Sequence, residues 1–269
     1  MSEFLLNSDS LNKLIEISID AGKAIMDIYK TDFDFEKKND ESPITAADLC
    51  SHEIISDSLS KLTPKIPILS EESSYIPFTE RSCWDEYWLI DPLDGTKEFI
   101  NRNGEFTTNI ALMKNNKPAF GIIHAPCLNQ TYWGGESLGS YYLEGDLDSD
   151  IKKINVSSSF DQEIKMVSSR SHPSNDLKCI LKMIGDHKIL SIGSSLKFCL
   201  IAKGEADCYL RLGPTSEWDT AAGDAIVKSA GGSVKVINGS ELEYNKLDSI
   251  LNPSFIAAAN EELVFKILD

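Results

Sequence analysis

Two aspartates whose spacing suits metal binding lie at the end of an apolar run. Asp91 and Asp94 follow residues 88–90, which are apolar, and are separated by Pro92 and Leu93. A short apolar run bounded by turn residues predicts a buried strand, and we expect it to end here because proline cannot donate a backbone hydrogen bond. Two carboxylates on a tight turn can face one point and leave the Leu93 carbonyl beside them. Such hard oxygen ligands suit a small cation such as Mg²⁺.

Three other readings of this segment can be compared with a metal site. An aspartyl-phosphate phosphatase has one residue between its two aspartates, whereas two residues separate Asp91 from Asp94. An EF-hand loop needs acids at alternate positions and a closing glutamate, and Pro92 and Leu93 break that pattern. An acidic turn after a strand is the plain reading, since Asp-Gly turns are common. The residues alone therefore leave a metal site and a plain turn open.

Further acids stand at the predicted ends of other elements. Thr45 and Asp48 have the spacing of a capping box before a helix, whose apolar face would carry Leu49, Ile55, Leu59 and Leu62. Glu71 follows the apolar run 66–69, and Asp219 stands at the start of a helix predicted after residue 217. Each acid also has an ordinary role, as a cap or as a solvated loop residue.

Small residues at a helix start are a weak signal for an anion. Residues 192–197 place Ser194 and Lys197 at the head of a predicted helix that runs through residue 202. Exposed amides and the positive end of the helix dipole favour phosphate there, although serine before a helix is usually only a cap. Taken alone, Lys38 is a solvated loop charge and His172 a loop histidine.

Composition excludes several classes of partner. The chain has 269 residues, 42% of them hydrophobic, and a formal net charge of −16. That charge repels nucleic acid polymers and disfavours a peripheral association with the anionic inner membrane, which the sequence nevertheless leaves open. The six cysteines form no CxxC pair, no His and Cys set suits zinc, and the first residues lack the basic and apolar pattern of a signal sequence, as the rest lacks a long apolar span. We therefore expect a reduced cytoplasmic protein without a transmembrane segment; the oligomeric state is left open.

The periodicity outlines two halves. Residues 11–29 repeat as an amphipathic helix, and residues 106–113, 119–124, 131–133 and 141–143 read as an antiparallel meander. The acidic segment 144–150 is the best boundary. We expect an N-terminal α+β half over residues 1–148 with the metal motifs, and a C-terminal α/β half over 149–269 that opens with strands near Ile154 and residues 165–167.

The string Asp91-Pro92-Leu93-Asp94-Gly95-Thr96 resembles the signature of the inositol monophosphatase-like family of Mg²⁺-dependent, Li⁺-sensitive phosphatases. The longer string 87–111 is more similar to its 3'(2'),5'-bisphosphate nucleotidase branch, and the resemblance extends from residue 21 to residue 253. It implies an α/β fold with α+β layering, an αβαβα sandwich with the active site between the halves.

The resemblance also implies roles for individual residues. Glu71 (rather than Glu72), Asp91, the Leu93 carbonyl, Asp94 and Asp219 would bind two or three Mg²⁺ ions. Asp48 and Thr96 would order the attacking water. The residues that match substrate contacts in the family are Lys38, Glu71, Leu93, Asp94, Gly95, Thr96, His172, Ser194, Lys197, Arg211 and Asp219.

The implied reaction is hydrolysis of the 3'-phosphate of adenosine 3',5'-bisphosphate to AMP and phosphate, by in-line attack of water without a phosphoenzyme. This implies a role in sulfur assimilation, where the bisphosphate is recycled. A phosphatase for inositol monophosphates or sugar bisphosphates would share the acids but not Ser194, Lys197 and Arg211. A non-catalytic Mg²⁺ or nucleotide sensor would have lost an acid or Thr96, and neither is missing.

Overall fold

Two long helices begin at side-chain caps. The computed structural model describes residues 7–37, 43–158, 163–168 and 186–268. Helix α1 (Ser8–Tyr29) is capped by Asn7, and α2 (Ala46–Leu62) begins at the capping box of Thr45 and Asp48. Both predicted helices are confirmed.

One residue of α2 lies off the predicted face. Ile55 and Leu59 are buried, but Leu49 is 48% exposed. At about 100° per residue, Asp48 lies on the same side as Ile55 and Leu59, whereas Leu49 is turned away from them. The buried face of α2 therefore carries the acid as well as the apolar residues.

A seven-stranded sheet is formed by strands between residues 68 and 154. Its order is β3-β4-β5-β6-β7-β8-β9, with β3 parallel to β4 and every later pair antiparallel. The predicted meander is confirmed. The bounds are β3 Ile68–Ser70, β4 Glu86–Asp94, β5 Thr107–Lys114, β6 Lys117–Ala125, β7 Gln130–Gly135, β8 Gly139–Glu144 and β9 Lys152–Ile154; a small pair, β1 Phe35–Lys37 and β2 Pro43–Thr45, precedes it.

Strand β4 continues through Pro92, so the expected end of the strand before this residue was wrong. Asp91 pairs with Asn109 and Asp94 with Thr107, which means that three steps on β4 match two on β5. This β-bulge leaves an unpaired residue, and a residue without an amide hydrogen fits that position.

A five-stranded sheet lies in the second half, in the order β11-β10-β12-β14-β13. Its strands are β10 Ile164–Ser168, β11 His187–Ser191, β12 Cys208–Arg211, β13 Ser233–Val236 and β14 Phe255–Ala258. The strand at Ile154, which we expected to open this half, instead pairs with β8 in the first sheet. The division at residues 148 and 149 stays a prediction.

The described residues form four apolar clusters, and three of them join the layers of the fold. The remaining helices are α3 Phe78–Arg81, α4 Thr96–Ile100, α5 Leu196–Ala202, α6 Ala221–Ser229 and α7 Glu261–Leu268. One core joins α1 and α2 to the seven-stranded sheet, a second joins that sheet to α5, α6 and the five-stranded sheet, and a third joins the five-stranded sheet to α7. The described elements thus stack as the expected αβαβα sandwich.

The described cysteines are free thiols, as the scattered pattern predicts. They are Cys50, Cys83, Cys127, Cys199 and Cys208, of which only the last two are buried. Among the described helices, none is long and apolar enough to cross a membrane.

Candidate active site

Three carboxylates converge where the first sheet meets the second half. Glu71, Asp91 and Asp219 each offer an oxygen, and these atoms lie within 4.8 Å of one another. Glu71 follows β3, whose parallel register with β4 aligns Ser70 with Ile90, so Glu71 lies beside Asp91. The amide of Glu71 donates to the Ile90 carbonyl at 3.2 Å. Pairing of these two strands therefore brings two acids together that are distant in sequence.

Asp219 reaches this cluster from a 3₁₀ turn, Glu217–Asp219, and not from the N-cap position of a helix as expected. Its Oδ2 accepts a hydrogen bond from the amide of Ser216 at 3.0 Å. The N-cap of α6 is Thr220. The predicted N-cap role of Asp219 is thus wrong: Asp219 is the third residue of the 3₁₀ turn, where it closes a capping box with Ser216.

Asp94 and the Leu93 carbonyl lie in the same cleft. Asp94 Oδ2 accepts from Ser195 Oγ at 2.7 Å, and Thr96 Oγ1 lies 3.4 Å from the Leu93 oxygen. The cleft has a volume of about 270 Å³. Its lining comprises Glu71, Asp91, Leu93, Asp94, Gly95, Thr96, Lys97, Glu98, Ser194, Ser195, Lys197, Phe198, Tyr209, Arg211, Thr215, Asp219 and Thr220.

Asp48 serves as a helix cap and also contacts Thr96. Its Oδ2 accepts from the amide and the hydroxyl of Thr45, both at 2.7 Å. Its Oδ1 accepts from Thr96 Oγ1 at 3.3 Å. Gly95, with φ of 92°, provides the left-handed turn that starts α4 at Thr96. The capping reading and the site reading of Asp48 are therefore compatible, because the two oxygens have different partners.

The electrostatics of the cluster suit a cation. Burial raises the pKa of Asp91 well above its ordinary value, and the charges of Glu71, Asp94, Asp219 and Asp48 raise it further. Burial, then Asp94 and Glu71, likewise raise the pKa of Asp219. A divalent ion would offset this repulsion, and a donor set of oxygens alone fits a hard cation. The residues present therefore fit the metal that the family resemblance implies.

Cationic side chains adjoin the acids. Lys197 is buried, donates to the Ser194 carbonyl and has its Nζ 5.3 Å from the centre of the Tyr209 ring. Burial lowers the pKa of Lys197, and the carboxylate of Asp94 opposes this shift. Arg211 donates to the carbonyls of Gly213 and Pro214 at 3.2 and 2.7 Å.

The structure brings together eleven of the thirteen site residues named from the sequence, since ten line the cleft and Asp48 contacts Thr96. Lys38 and His172 lie outside the described residues. The individual roles stay predictions.

Sequence reasoning missed two buried polar residues next to Asp94. Ser195 Oγ donates to Asp94, and Asn109 Nδ2 donates to Ser195 Oγ at 2.9 Å. A signal for Asn109 was present, because Thr107, Thr108 and Asn109 are polar residues in an otherwise apolar strand. Ser195 looked like a plain N-cap, and in the structure it is the N-cap of α5.

Comparisons with known proteins agree on the family. A family model described as the inositol monophosphatase family matches residues 7–268. The 3'(2'),5'-bisphosphate nucleotidase CysQ of Salmonella typhimurium is 46% identical over 249 residues, which cover 91% of this chain and 98% of the relative. The CysQ protein of Haemophilus influenzae is 36% identical over 258 residues and 95% of both chains.

Solved structures have the same fold. The crystal structure of CysQ from Bacteroides thetaiotaomicron has a TM-score of 0.84 and 38% identity, over 95% of this chain and 98% of that one. An inositol monophosphatase from Thermotoga maritima has a TM-score of 0.80 and 26% identity, over 97% and 96%. Since a family model and relatives of this identity span nearly the whole chain, this protein belongs to the inositol monophosphatase family.

Proposed function

We propose that the chain is a Mg²⁺-dependent 3'(2'),5'-bisphosphate nucleotidase that hydrolyses the 3'-phosphate of adenosine 3',5'-bisphosphate to AMP and phosphate. The observation that carries the proposal is that one cleft contains the clustered acids together with two cationic residues, buried Lys197 and Arg211. A bisphosphate needs both groups of residues, one for each phosphate. Relatives named 3'(2'),5'-bisphosphate nucleotidase CysQ support it.

The acids would hold the metal. Glu71, Asp91, Asp94, Asp219 and the Leu93 carbonyl are the proposed ligands of two or three Mg²⁺ ions. When bound, Mg²⁺ would neutralise the phosphate charge, lower the pKa of a bound water and stabilise the departing alkoxide.

Thr96 and Asp48 would orient the attacking water. The Thr96 hydroxyl donates its hydrogen to Asp48 Oδ1, so its lone pairs can accept a hydrogen from a water beside it. Asp48 is itself held by Thr45 and cannot turn away without breaking the cap of α2. This arrangement aligns the water for attack on phosphorus, with cleavage of the bond to the 3'-oxygen. No phosphorylated side chain is required.

The second phosphate would be recognised at the basic side of the cleft. Lys197, Arg211 and Ser194 are the proposed contacts among the described residues, and Lys38 and His172 are proposed from the resemblance alone. Charged donors in a partly desolvated site bind phosphate strongly. An inositol monophosphate has no second phosphate to use them. A cytoplasmic location, consistent with the free thiols, is part of the proposal.

Substrate profiling tests the proposal. We expect kcat/KM for adenosine 3',5'-bisphosphate to exceed that for inositol 1-phosphate by at least about 100-fold, because the basic groups are left unpaired by the smaller ester. EDTA should abolish both activities, and Li⁺ should inhibit them. A preference for the inositol ester would overturn the nucleotidase assignment. Binding of nucleotide and Mg²⁺ without turnover would indicate a sensor.

A further inference from the structure

The hydroxyl of Ser195 lies between two of the proposed metal-binding residues that come from different parts of the chain. Its oxygen is 2.7 Å from Asp94 Oδ2, on the first sheet, and 2.8 Å from the backbone carbonyl of Asp219. Asn109 Nδ2, from β5, is the third neighbour at 2.9 Å. Ser195 and Asn109 are each only 1% exposed. Water therefore has little access with which to replace these bonds.

The hydrogen-bond chemistry gives this contact a direction. An amide nitrogen can only donate, so Ser195 Oγ accepts from Asn109 and has one hydrogen left to donate. The Asp94 carboxylate is the nearer and the charged acceptor, which makes it the stronger partner. Thr107 Oγ1 donates to Asn109 Oδ1 at 3.0 Å and occupies the other end of the amide.

Two consequences follow for the acids. Oδ2 of Asp94 accepts from the Ser195 hydroxyl at 2.7 Å and lies 3.5 Å from Asn109 Nδ2, so these two side chains orient the carboxylate. The Asp219 carbonyl is the second and weaker acceptor of the same hydrogen, at 2.8 Å, so one three-centre bond links the Asp219 turn to Asp94. Hydrogen bonds of this kind orient metal ligands and commonly change metal affinity when they are removed.

We propose that Ser195, oriented by Asn109, is a positioning residue that fixes Asp94 and the Asp219 turn relative to each other and so sets the affinity of the site for Mg²⁺. This inference rests on the metal-dependent function proposed above. Ser195 acts through the two acids and needs no contact with substrate.

The test is cation binding to the metal-free protein without substrate. Mn²⁺ serves as the probe because it is a hard, octahedral cation like Mg²⁺, and its free concentration is read by electron paramagnetic resonance. We expect Ser195→Ala to weaken Mn²⁺ binding about 10-fold and Asn109→Ala to weaken it in the same direction. Ser195→Thr keeps the hydroxyl and should bind within about 3-fold of wild type.

Ser140→Ala is the matched control. Ser140 is also a buried serine that joins the two parts of the fold, through bonds to the Ile226 carbonyl and Ser229 Oγ at 2.7 and 2.6 Å. It is not part of the cleft lining. Its loss should lower the melting temperature and leave the Mn²⁺ affinity unchanged.

Several results would decide the matter. Wild-type affinity in folded Ser195→Ala, or an equal loss in Ser140→Ala, would overturn the inference. If Ser195→Ala does not fold, Asn109→Ala decides by the same criterion. Wild-type protein that binds no Mn²⁺ would overturn the inference and the metal site together. A wild type that binds Mn²⁺ but does not hydrolyse the bisphosphate would refute only the nucleotidase function, because the affinities of the variants can still be compared.

Discussion

At the scale of single residues, the site separates the roles of individual oxygens. Asp48 uses Oδ2 to cap α2 and Oδ1 to hold the Thr96 hydroxyl. Asp94 directs Oδ2 to Ser195, and Asp219 directs Oδ2 to Ser216. Asp94 and Asp219 are therefore each fixed through one oxygen, which suits ligands that must hold a defined geometry around an ion, whereas Asp48 uses both of its oxygens.

The first prediction concerns Asp94. Asp94→Asn should lower kcat/KM by more than about 100-fold at saturating Mg²⁺, since an amide has no charge to bind the cation. The side chain keeps its size and an acceptor for Ser195, so the fold should persist. Circular dichroism and steady-state kinetics measure both properties. Asp224→Asn is the control, because Asp224 is a buried acid that pairs with Lys228 outside the cleft. A folded, fully active Asp94→Asn would refute the ligand assignment.

The second prediction concerns Thr96. Thr96→Ala should lower kcat by roughly 100-fold with KM within about 3-fold, because the hydroxyl is needed to position the water in the transition state. Thr96→Ser keeps the hydroxyl and should retain most of the activity. If KM alone changes, Thr96 is a binding residue and the water must be ordered elsewhere.

A third prediction concerns substrate choice. Lys197→Met removes a buried charge while keeping most of the volume. For adenosine 3',5'-bisphosphate it should lower kcat/KM by an amount that corresponds to a loss of about 1.5–3 kcal/mol in transition-state stabilisation. The loss for inositol 1-phosphate should be much smaller. Lys228→Met, which removes a lysine paired with Asp224 and Glu241, controls for charge. Equal losses on the two substrates would assign Lys197 to the common metal centre or to the fold.

At the scale of elements, the bulge of β4 and the turn after it orient the side chains of the Asp91–Thr96 motif. Ser51, on the buried face of α2, donates to the Pro92 carbonyl at 2.7 Å. The amide of Leu93 donates to Asp91 Oδ1 at 3.1 Å. Helix α2 thus contacts the motif at Pro92 and Thr96, one turn apart on its own surface. Helix, bulge and turn together position Asp91, Leu93 and Thr96.

The fourth prediction belongs to this turn. An added Cβ at Gly95 would lie 3.2 Å from the Glu105 carbonyl oxygen and from Ser194 Cβ, on a backbone with φ of 92°. Gly95→Ala should therefore destabilise the protein by about 1–3 kcal/mol and reduce activity, because α4 and Thr96 must shift. Thermal melts and kinetics measure the two effects.

Gly239→Ala separates crowding from backbone strain. Gly239 also has a positive φ, of 83°, but no atom lies within 4 Å of an added Cβ. We expect a smaller loss of stability and normal activity. Equal effects at the two glycines would mean that contacts around Gly95 do not matter.

At the scale of the whole molecule, the cleft forms where two layers meet. Asp91 and Asp94 come from the seven-stranded sheet, whereas Ser195 and Asp219 precede the helices of the central layer. A metal ion bound to these acids would join the two layers. Metal binding should therefore stabilise the complete fold, since a ligand that binds only the native state raises its free energy of unfolding.

The fifth prediction is that this stabilisation depends on pH. The pKa values of Asp91 and Asp219 are raised in the metal-free fold, so the native state binds more protons than the unfolded chain. The titration of these two aspartates therefore lowers the free energy of unfolding of the metal-free protein as the pH rises from the ordinary aspartate range through their raised pKa values. Mg²⁺ needs the deprotonated acids. The increase in Tm on adding Mg²⁺ should thus be several degrees near pH ~8 and much smaller near pH ~5. Equal shifts at both pH values would contradict these pKa directions.

Local signals account for the features that could be predicted from the sequence alone. The amphipathic pattern of α1, the cap of α2, the strands of the meander and the Asp91–Thr96 motif depend on neighbours within a few residues, so composition and spacing are enough to predict them. The resemblance carried by that motif also led to the layered fold and the correct family. Free thiols followed from the scattered cysteines.

Which distant residues share the cleft depends on how the layers pack in three dimensions. Ser195 and Asp94 are 101 residues apart in sequence, and Asn109 and Ser195 are 86 apart. No local pattern encodes such a contact, because it depends on how two sheets and the helices between them pack. The same reason applies to β9, whose three residues join the first sheet by pairing with β8, and to Pro92, whose place in β4 depends on the partner strand. Spacing along the chain identifies the candidate acids, but the packing of the layers decides which of their oxygens lie close together.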